Sequence, residues 1–374
     1  MRRRTFINSI GWSAAMAHSN LLSNPLSRME HSNLLSNPLS RMEHLTVNKK
    51  IKPARLVVGD TIAVIAPSSG LPEHVIQRAI AHLEQLGFVL KLGKNIRAMR
   101  GYLAGTEQQR LDDFHAAFAD KEVKAVWCIR GGYGAARFIP QINYDIIRRN
   151  PKIFIGYSDI TALHVAIHQQ TGLTTFHGPV GTSDFSDYTK SHVLDVLMHP
   201  KPNYKISLCP LNTTDAEKLF KPAVIEAGIN KPEIITAGKC RGQLIGGNLS
   251  LLSAAAGTPY ALRNVKGKIL FMEDIDERPY RIDRMLTQLM HSVDLKSCAG
   301  IALGIFDGCN PTKEDINTLS LSECLHDRLG HLGIPVIYGL SFGHIKHQCT
   351  LPYGIEAELN TGDKTITLLE AAVS

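Results

Sequence analysis

The sequence has no run of about 18 consecutive apolar residues, so no segment of it is expected to cross a bilayer as a helix. It has no C-x-x-C pair either. Its seven cysteines, at 128, 209, 240, 298, 309, 324 and 349, are scattered and odd in number, which fits neither a disulfide framework nor a zinc-ligand spacing. They read as mostly reduced, small apolar residues. No H-E-x-x-H or equivalent ligand set occurs, so no metal and no cofactor is expected. A basic excess is also missing outside the N-terminal tail. Residues 1–55 hold nine Lys and Arg against two Glu, and the rest of the chain has 32 basic and 32 acidic residues, so the formal charge of +7 sits in the tail. Without a basic, aromatic-interleaved stripe, a nucleic-acid partner is not expected.

With 374 residues, 44% of them hydrophobic and 20% charged, the chain can bury a large core, and its length favours two domains. Met1 to Ala17 carries Arg2-Arg3-Arg4-Thr5-Phe6-Ile7, a weakly apolar stretch and Ala15-Met16-Ala17. This resembles a twin-arginine export signal with a small-residue cleavage site, which implies a periplasmic protein; a plain basic tail on a cytoplasmic protein is the alternative. Residues 18–30 recur identically as 31–43, and two copies are too few for a solenoid. Residues 1–50 are therefore read as a flexible tail.

Beyond it the pattern is strand (TIAVIAPS), helix (72–86), strand (FVLKLG), helix (107–120), strand (VKAVWCIR), glycine turn (131–134), strand (KIFIGY) and helix (ITALHVAIHQQ). Such alternation predicts an α/β fold, a doubly wound parallel sheet spanning residues 51–185. Residues 186–236, rich in proline and poor in periodicity, read as a connector. Residues 237–374 read as a second, mixed α/β domain, with a helix at LSLLSAAA, strands at GKILFMED, GIALGIF, PVIYGL and TITLLE, and an amphipathic helix over 280–290. The active site is expected between the two domains.

Four segments can carry chemistry. Ser158, between Gly156 and Asp159, sits where an apolar strand meets a helix, a turn that can expose a serine oxygen beside free helix N–H groups. Alternatively, Ser158 or Asp159 merely caps that helix. Glu273 ends a strand and can orient an imidazole, in competition with Asp274, Asp276 and Glu277. His344 follows a strand on a glycine-bracketed loop and suits a general base, with His347 as its nearest rival. Arg130-Gly131-Gly132-Tyr133-Gly134 can donate backbone N–H groups to an oxyanion, cradle a phosphate, or be a plain turn, although it matches neither G-x-G-x-x-G nor the P-loop.

From about Leu56 onward the chain resembles the LD-carboxypeptidase family of serine peptidases, which includes muramoyltetrapeptide carboxypeptidases and microcin-immunity hydrolases. The likeness is carried, in order, by RGGYGAAR (130–137), GYSDITALH (156–164), HGP (177–179), LIGGNLSLL (244–252), EDIDERPYRIDRMLTQL (273–289) and GHIKHQCTLPYG (343–354). The resemblance implies Ser158 as nucleophile, His344 as general base and acid, and Glu273 as the orienting carboxylate. It implies an oxyanion hole from the N–H groups of Asp159 and of the glycine turn, Gly131 before Gly132, and Arg130, Asn248 and Tyr280 are the candidate substrate-binding residues in the matching segments. The implied substrate is a murein peptide that loses a terminal D-alanine, and the implied assembly is a homodimer. One departure is Gln348, where an asparagine is expected four residues after the histidine. Two rival readings are an immunity-type hydrolase of a peptidyl-nucleotide antibiotic and a non-catalytic two-domain ligand-binding module. Ser, Glu and His on three separate loops favour an enzyme over the module.

Overall fold

The computed structural model describes residues 49–212, 231–312, 315 and 317–374. The export-signal reading of Met1–Ala17 and the tandem repeat lie outside the described residues. In chain order the elements of the first half are β1 (Thr61–Ile65), α1 (Glu73–Glu84), β2 (Val89–Leu92), α2 (Glu107–Ala119), β3 (Val123–Cys128), α3 (Tyr144–Arg149), β4 (Ile153–Gly156), α4 (Thr161–Thr171), β5 (Phe176–His177), α5 (Asp187–Leu197) and β6 (Tyr204–Ile206). Then come β7 (Glu233–Thr236), β8 (Lys239–Asn248), α6 (Leu249–Ala254), β9 (Ile269–Ile275), α7 (Pro279–Ser292), β10 (Gly300–Asp307), α8 (Leu321–Leu329), β11 (Val336–Gly343), β12 (Leu351–Pro352), β13 (Glu356–Asn360) and β14 (Thr365–Leu368).

They form two open sheets. The first has the order β12-β5-β4-β3-β1-β2, with β1 to β5 parallel and β12 added antiparallel at one edge. Its central strands β3 and β4 are apolar and buried on both faces apart from the exposed Lys124 near the start of β3, as strands covered by helices on two sides are. On one side Phe114, Phe118, Phe138 and Phe154 pack ring against ring at 5.0 to 6.1 Å. Truncating any one of them to alanine would cost about 3–5 kcal/mol. The second sheet has the order β6-β14-β13-β8-β9-β10-β11-β7, parallel from β8 to β11 and antiparallel at both flanks. This is the α/β architecture expected: a doubly wound parallel sheet followed by a mixed one.

Local chemistry fixes the ends of the helices. Thr106 and Gln109 close a reciprocal capping box on α2, Ser320 and Glu323 do the same for α8, and Gly172, at φ 76°, ends α4. The proline-rich stretch read as a connector contains α5, which Ser186 caps and which buries Val193, Val196 and Leu197 at helical spacing. The prolines that dominate that stretch in sequence lie after the helix. Among the described residues no helix is long and apolar enough to cross a membrane.

Register decides what meets at the strand ends. Asn248, the last residue of β8, pairs across the ladder with Glu273 of β9, and Ile305 of β10 pairs with Gly343, the last of β11. Gly156 closes β4 beside His177 of β5. The C-terminal ends of parallel strands, where open α/β sheets gather ligand-binding residues, thus bring these positions within reach of one another.

Candidate active site

Strand β4 runs into Tyr157 and Ser158, and the chain must then turn sharply to start α4. Ser158 takes φ 66°, a left-handed conformation that costs a non-glycine residue roughly 1–2 kcal/mol. The surroundings impose it. Gly131 packs so closely that a Cβ there would lie 2.9 Å from the Ser158 Cβ and 3.2 Å from its hydroxyl oxygen. Only glycine lets the turn approach the serine. Capping does not account for Ser158: Ile160 holds the N-cap position of α4, with no side-chain cap, and the Asp159 carboxylate reaches outward to Ser68 and Ala135.

The Glu273 side chain is fully buried on β9, and its Oε2 lies 2.7 Å from His344 Nδ1. Gly343, at φ 117°, lets the chain pass against it, since a Cβ there would sit 3.1 Å from the Glu273 Cβ and 2.8 Å from the Ile305 carbonyl oxygen. β9 continues to Ile275, so Glu273 lies inside the strand rather than at its end. Alternation sends the neighbouring Asp274 to the other face, where it accepts from Asn248 Nδ2 at 3.1 Å and from the Ser250 amide and hydroxyl at 2.9 Å. Asp276 packs against Gly308, and Glu277 lies 3.3 Å from Arg281. Of the four acids, Glu273 is the one hydrogen-bonded to His344. His347 sits three residues on, its carbonyl accepting from Asn212 Nδ2 at 2.8 Å.

The Tyr157 ring joins the two halves of the site, standing edge-on to the His344 ring at a centroid separation of 4.8 Å. Burial alone would push the His344 imidazole down, but the Glu273 charge and hydrogen bond, reinforced by Asp274 and Asp307, hold its pKa above the ordinary histidine value. Burial would likewise raise the Glu273 carboxyl, and His344 outweighs it and keeps it low. The two directions agree on an ion pair with the imidazole as its proton carrier. Asp274, raised to about 6 by burial and then by the Glu273 charge, is the softer acid of the two.

A pH profile checks this pair. A neutral imidazole can accept a proton and an imidazolium cannot, so kcat/KM is expected to rise with pH through an acid limb above 6.5. A limb at or below that value would contradict the coupling.

The remaining sequence candidates take different places. Arg130 is half-buried immediately before the glycine turn, and its charge acts on Tyr157. Gly132 takes φ 108° against Ser69. Tyr280 is 56% exposed in the first turn of α7, under the guanidinium groups of Arg281 and Arg284. Asn248, expected as a substrate contact, is only 3% exposed, and both ends of its amide are engaged: the oxygen caps α6 by accepting from the Leu251 amide and the nitrogen donates to Asp274. Its backbone amide donates to Thr161 Oγ1 at 2.9 Å, which fastens the start of α4 to β8. That side chain braces the acid-bearing strand. Gln348, in place of the expected asparagine, directs its amide nitrogen back toward the Ile345 carbonyl at 3.5 Å and its backbone amide to Thr189 Oγ1 at 3.0 Å, closing the loop that carries His344.

Sequence reasoning passed over Ser68, Ser69 and Arg110, which hold the glycine turn, and the ring of His177. His177 is buried among Tyr157, Phe271 and Phe342, and burial lowers its pKa to about 4, so it is neutral. Its place in the HGP segment was the available signal. Among the described residues no group of three or more His, Cys, Asp or Glu is placed to hold a metal ion.

An acid-backed imidazole packed against the ring of Tyr157, the neighbour of a serine held at positive φ, is an arrangement that suits a hydrolase. Comparison with known proteins narrows the class: residues 62–178 match the LD-carboxypeptidase N-terminal domain and residues 241–359 the LD-carboxypeptidase C-terminal domain, and the chain belongs to this family. It is 42% identical over 328 residues to a probable murein peptide carboxypeptidase of Bacillus subtilis, covering 86% of this chain and 95% of that one. It is 35% identical over 301 residues to the murein tetrapeptide carboxypeptidase of Pseudomonas aeruginosa, covering 80% and 92%. The microcin C7 self-immunity protein MccF of Escherichia coli, solved in complex with aspartyl sulfamoyl adenosine, superposes with a TM-score of 0.75 at 27% identity, covering 87% and 100%.

Proposed function

We propose that this chain is a serine carboxypeptidase that hydrolyses the amide bond before the terminal D-alanine of a murein tetrapeptide. The observation that carries the reading is the His344–Glu273 pair, whose imidazole meets the ring of Tyr157, the residue next to Ser158, edge to face. His344 takes the Ser158 proton as the serine oxygen attacks the carbonyl carbon, and the negative charge that develops on the substrate's carbonyl oxygen is met by the N–H groups of Gly131 and Asp159. The Asp159 amide stands in the first turn that leads into α4, where backbone N–H groups lack an intrahelical acceptor, and the Gly131 amide comes from the glycine turn packed against Ser158. His344 then gives its proton to the leaving D-alanine nitrogen. A water molecule repeats the attack on the ester, His344 accepting its proton and returning it to Ser158. Glu273 stays ionised and stabilises the imidazolium formed in each half-reaction. Arg130, before the glycine turn, and Tyr280, in the first turn of α7, are the candidate contacts for the rest of the peptide.

A second reading, an immunity-type hydrolase, draws on the likeness to MccF and uses the same residues. Mass spectrometry of purified murein tetrapeptide and of aspartyl sulfamoyl adenosine, each incubated with the enzyme, separates them. Release of one alanine from the peptide alone supports the carboxypeptidase, and cleavage of the nucleotide conjugate alone supports the immunity enzyme.

We infer export from Arg3-Arg4-x-Phe6-Ile7 and Ala15-x-Ala17. Residues 1–48 fused to a folded reporter are expected to carry it across the inner membrane by the twin-arginine route, and Arg3→Lys with Arg4→Lys to stop it. A reporter that stays cytoplasmic with the intact tail would place the enzyme inside the cell. The family resemblance also carries the homodimer, and sedimentation equilibrium giving the monomer mass at micromolar concentration would rule it out.

A further inference from the structure

An oxyanion hole works only if its donors stay fixed while charge develops, and the glycine turn at 131–134 has no regular structure of its own. It lies between β3 and a short 3-10 helix, Ala135–Gln141. Three side chains grip it from behind. Asp159, 1% exposed, accepts from the Ala135 amide at 2.8 Å and from the Ser68 hydroxyl at 2.6 Å. Arg110, 2% exposed, donates through Nη1 to the carbonyl oxygens of Gly134 at 2.6 Å and Pro67 at 2.8 Å. The Ser69 hydroxyl accepts from the Tyr133 amide at 3.1 Å, and the Ser69 amide donates to the Gly131 carbonyl at 3.3 Å.

Burying this network is expensive. Arg110 keeps Nε and Nη2 without a hydrogen-bond partner among the described residues, and the Asp159 carboxylate shares its interior. A carboxylate and a guanidinium taken out of water are weak contributors to stability, and apolar residues of similar size often serve the fold better. Their bonds converge on one short segment, the turn whose first glycine touches Ser158. Asp159 also directly follows Ser158, so on the proposed reading one residue supplies a backbone N–H to the oxyanion while its side chain holds Ser68 and Ala135.

We propose that the Asp159 side chain, with Ser68 and Arg110, is a positioning device that locks the glycine turn against Ser158 and keeps the Gly131 N–H aimed at the developing oxyanion. This rests on the reading of Ser158 as nucleophile. Loosening the lock leaves the substrate bound and weakens only what the transition state gains.

The test compares wild type, Asp159→Asn and Ser68→Ala on murein tetrapeptide, alongside the affinity of a peptide boronic acid that forms a tetrahedral adduct on serine. kcat is expected to fall roughly 100-fold in Asp159→Asn and about tenfold in Ser68→Ala, with KM within about threefold. Boronate affinity is expected to fall in step with kcat, while affinity for the tripeptide product holds. If Asp159→Asn does not fold, the same comparison in Ser68→Ala decides. Variants that melt earlier but retain wild-type kcat and boronate affinity below their transition would show that the network serves only the fold, and would overturn the proposal. A wild-type enzyme that neither cleaves the peptide nor binds the boronate overturns the serine reading itself, and the positioning role with it.

Discussion

Ser158→Ala is expected to lower kcat for D-alanine release by at least about 10⁴-fold and to leave the melting temperature nearly unchanged. The loss is large because alanine has no side-chain oxygen to attack the carbonyl carbon. The small stability effect follows from the turn. Alanine at φ 66° bears the same Cβ strain as serine, and Ser158 serves no helix as a side-chain cap. Ser158→Gly sharpens the contrast: it should be equally inactive yet about 1 kcal/mol more stable, because glycine adopts the left-handed conformation freely. Steady-state kinetics and calorimetry on the two variants read both quantities. Retained activity in either one would remove Ser158 from the mechanism.

Glu273→Gln is expected to cost about 10³- to 10⁴-fold in kcat with little change in KM. An amide keeps much of the shape but cannot stabilise the imidazolium, and its NH₂ competes for the wrong His344 tautomer. It should also move the acid limb of kcat/KM downward, because the charge that raises His344 is gone. Glu277→Gln is the control: Glu277 pairs with Arg281 at 3.3 Å, away from the imidazole, and its loss should change kcat by no more than about threefold. A crippled Glu277→Gln beside a near-normal Glu273→Gln would mean that the wrong acid has been assigned.

The sequence made the architecture legible where apolar periodicity was strong. β1, β3, β4 and β9 are built on apolar runs, broken by Lys124 in β3 and by Glu273 and Asp274 in β9, and α2, α4 and α7 match their expected spans to within two residues. α5 was hidden by the prolines that follow it. The two-residue strands β5 and β12 could not be seen, because β12 joins the first sheet through a pairing between Leu351 and His177, far apart in sequence. At the site, local spacing brought out Ser158, His344 and four competing acids. What selected Glu273 was register, since strand alternation turns Glu273 toward His344 and Asp274 away, and a one-residue shift would have reversed them. The same three-dimensional dependence explains Asn248, whose motif drew notice although both ends of its amide are spent on α6 and Asp274. Arg110 and Ser68 gave no sign in sequence, because their partners are carbonyls and a carboxylate on other elements.

The central claim, that Ser158 is a nucleophile activated by the His344–Glu273 pair, is tested most directly by labelling the enzyme with a fluorophosphonate and mapping the adduct by peptide mass spectrometry. The expected result is a single adduct on Ser158, lost in Ser158→Ala, slowed strongly in Glu273→Gln and unaffected by EDTA. An adduct on another residue, or undiminished labelling of Ser158→Ala, would contradict it.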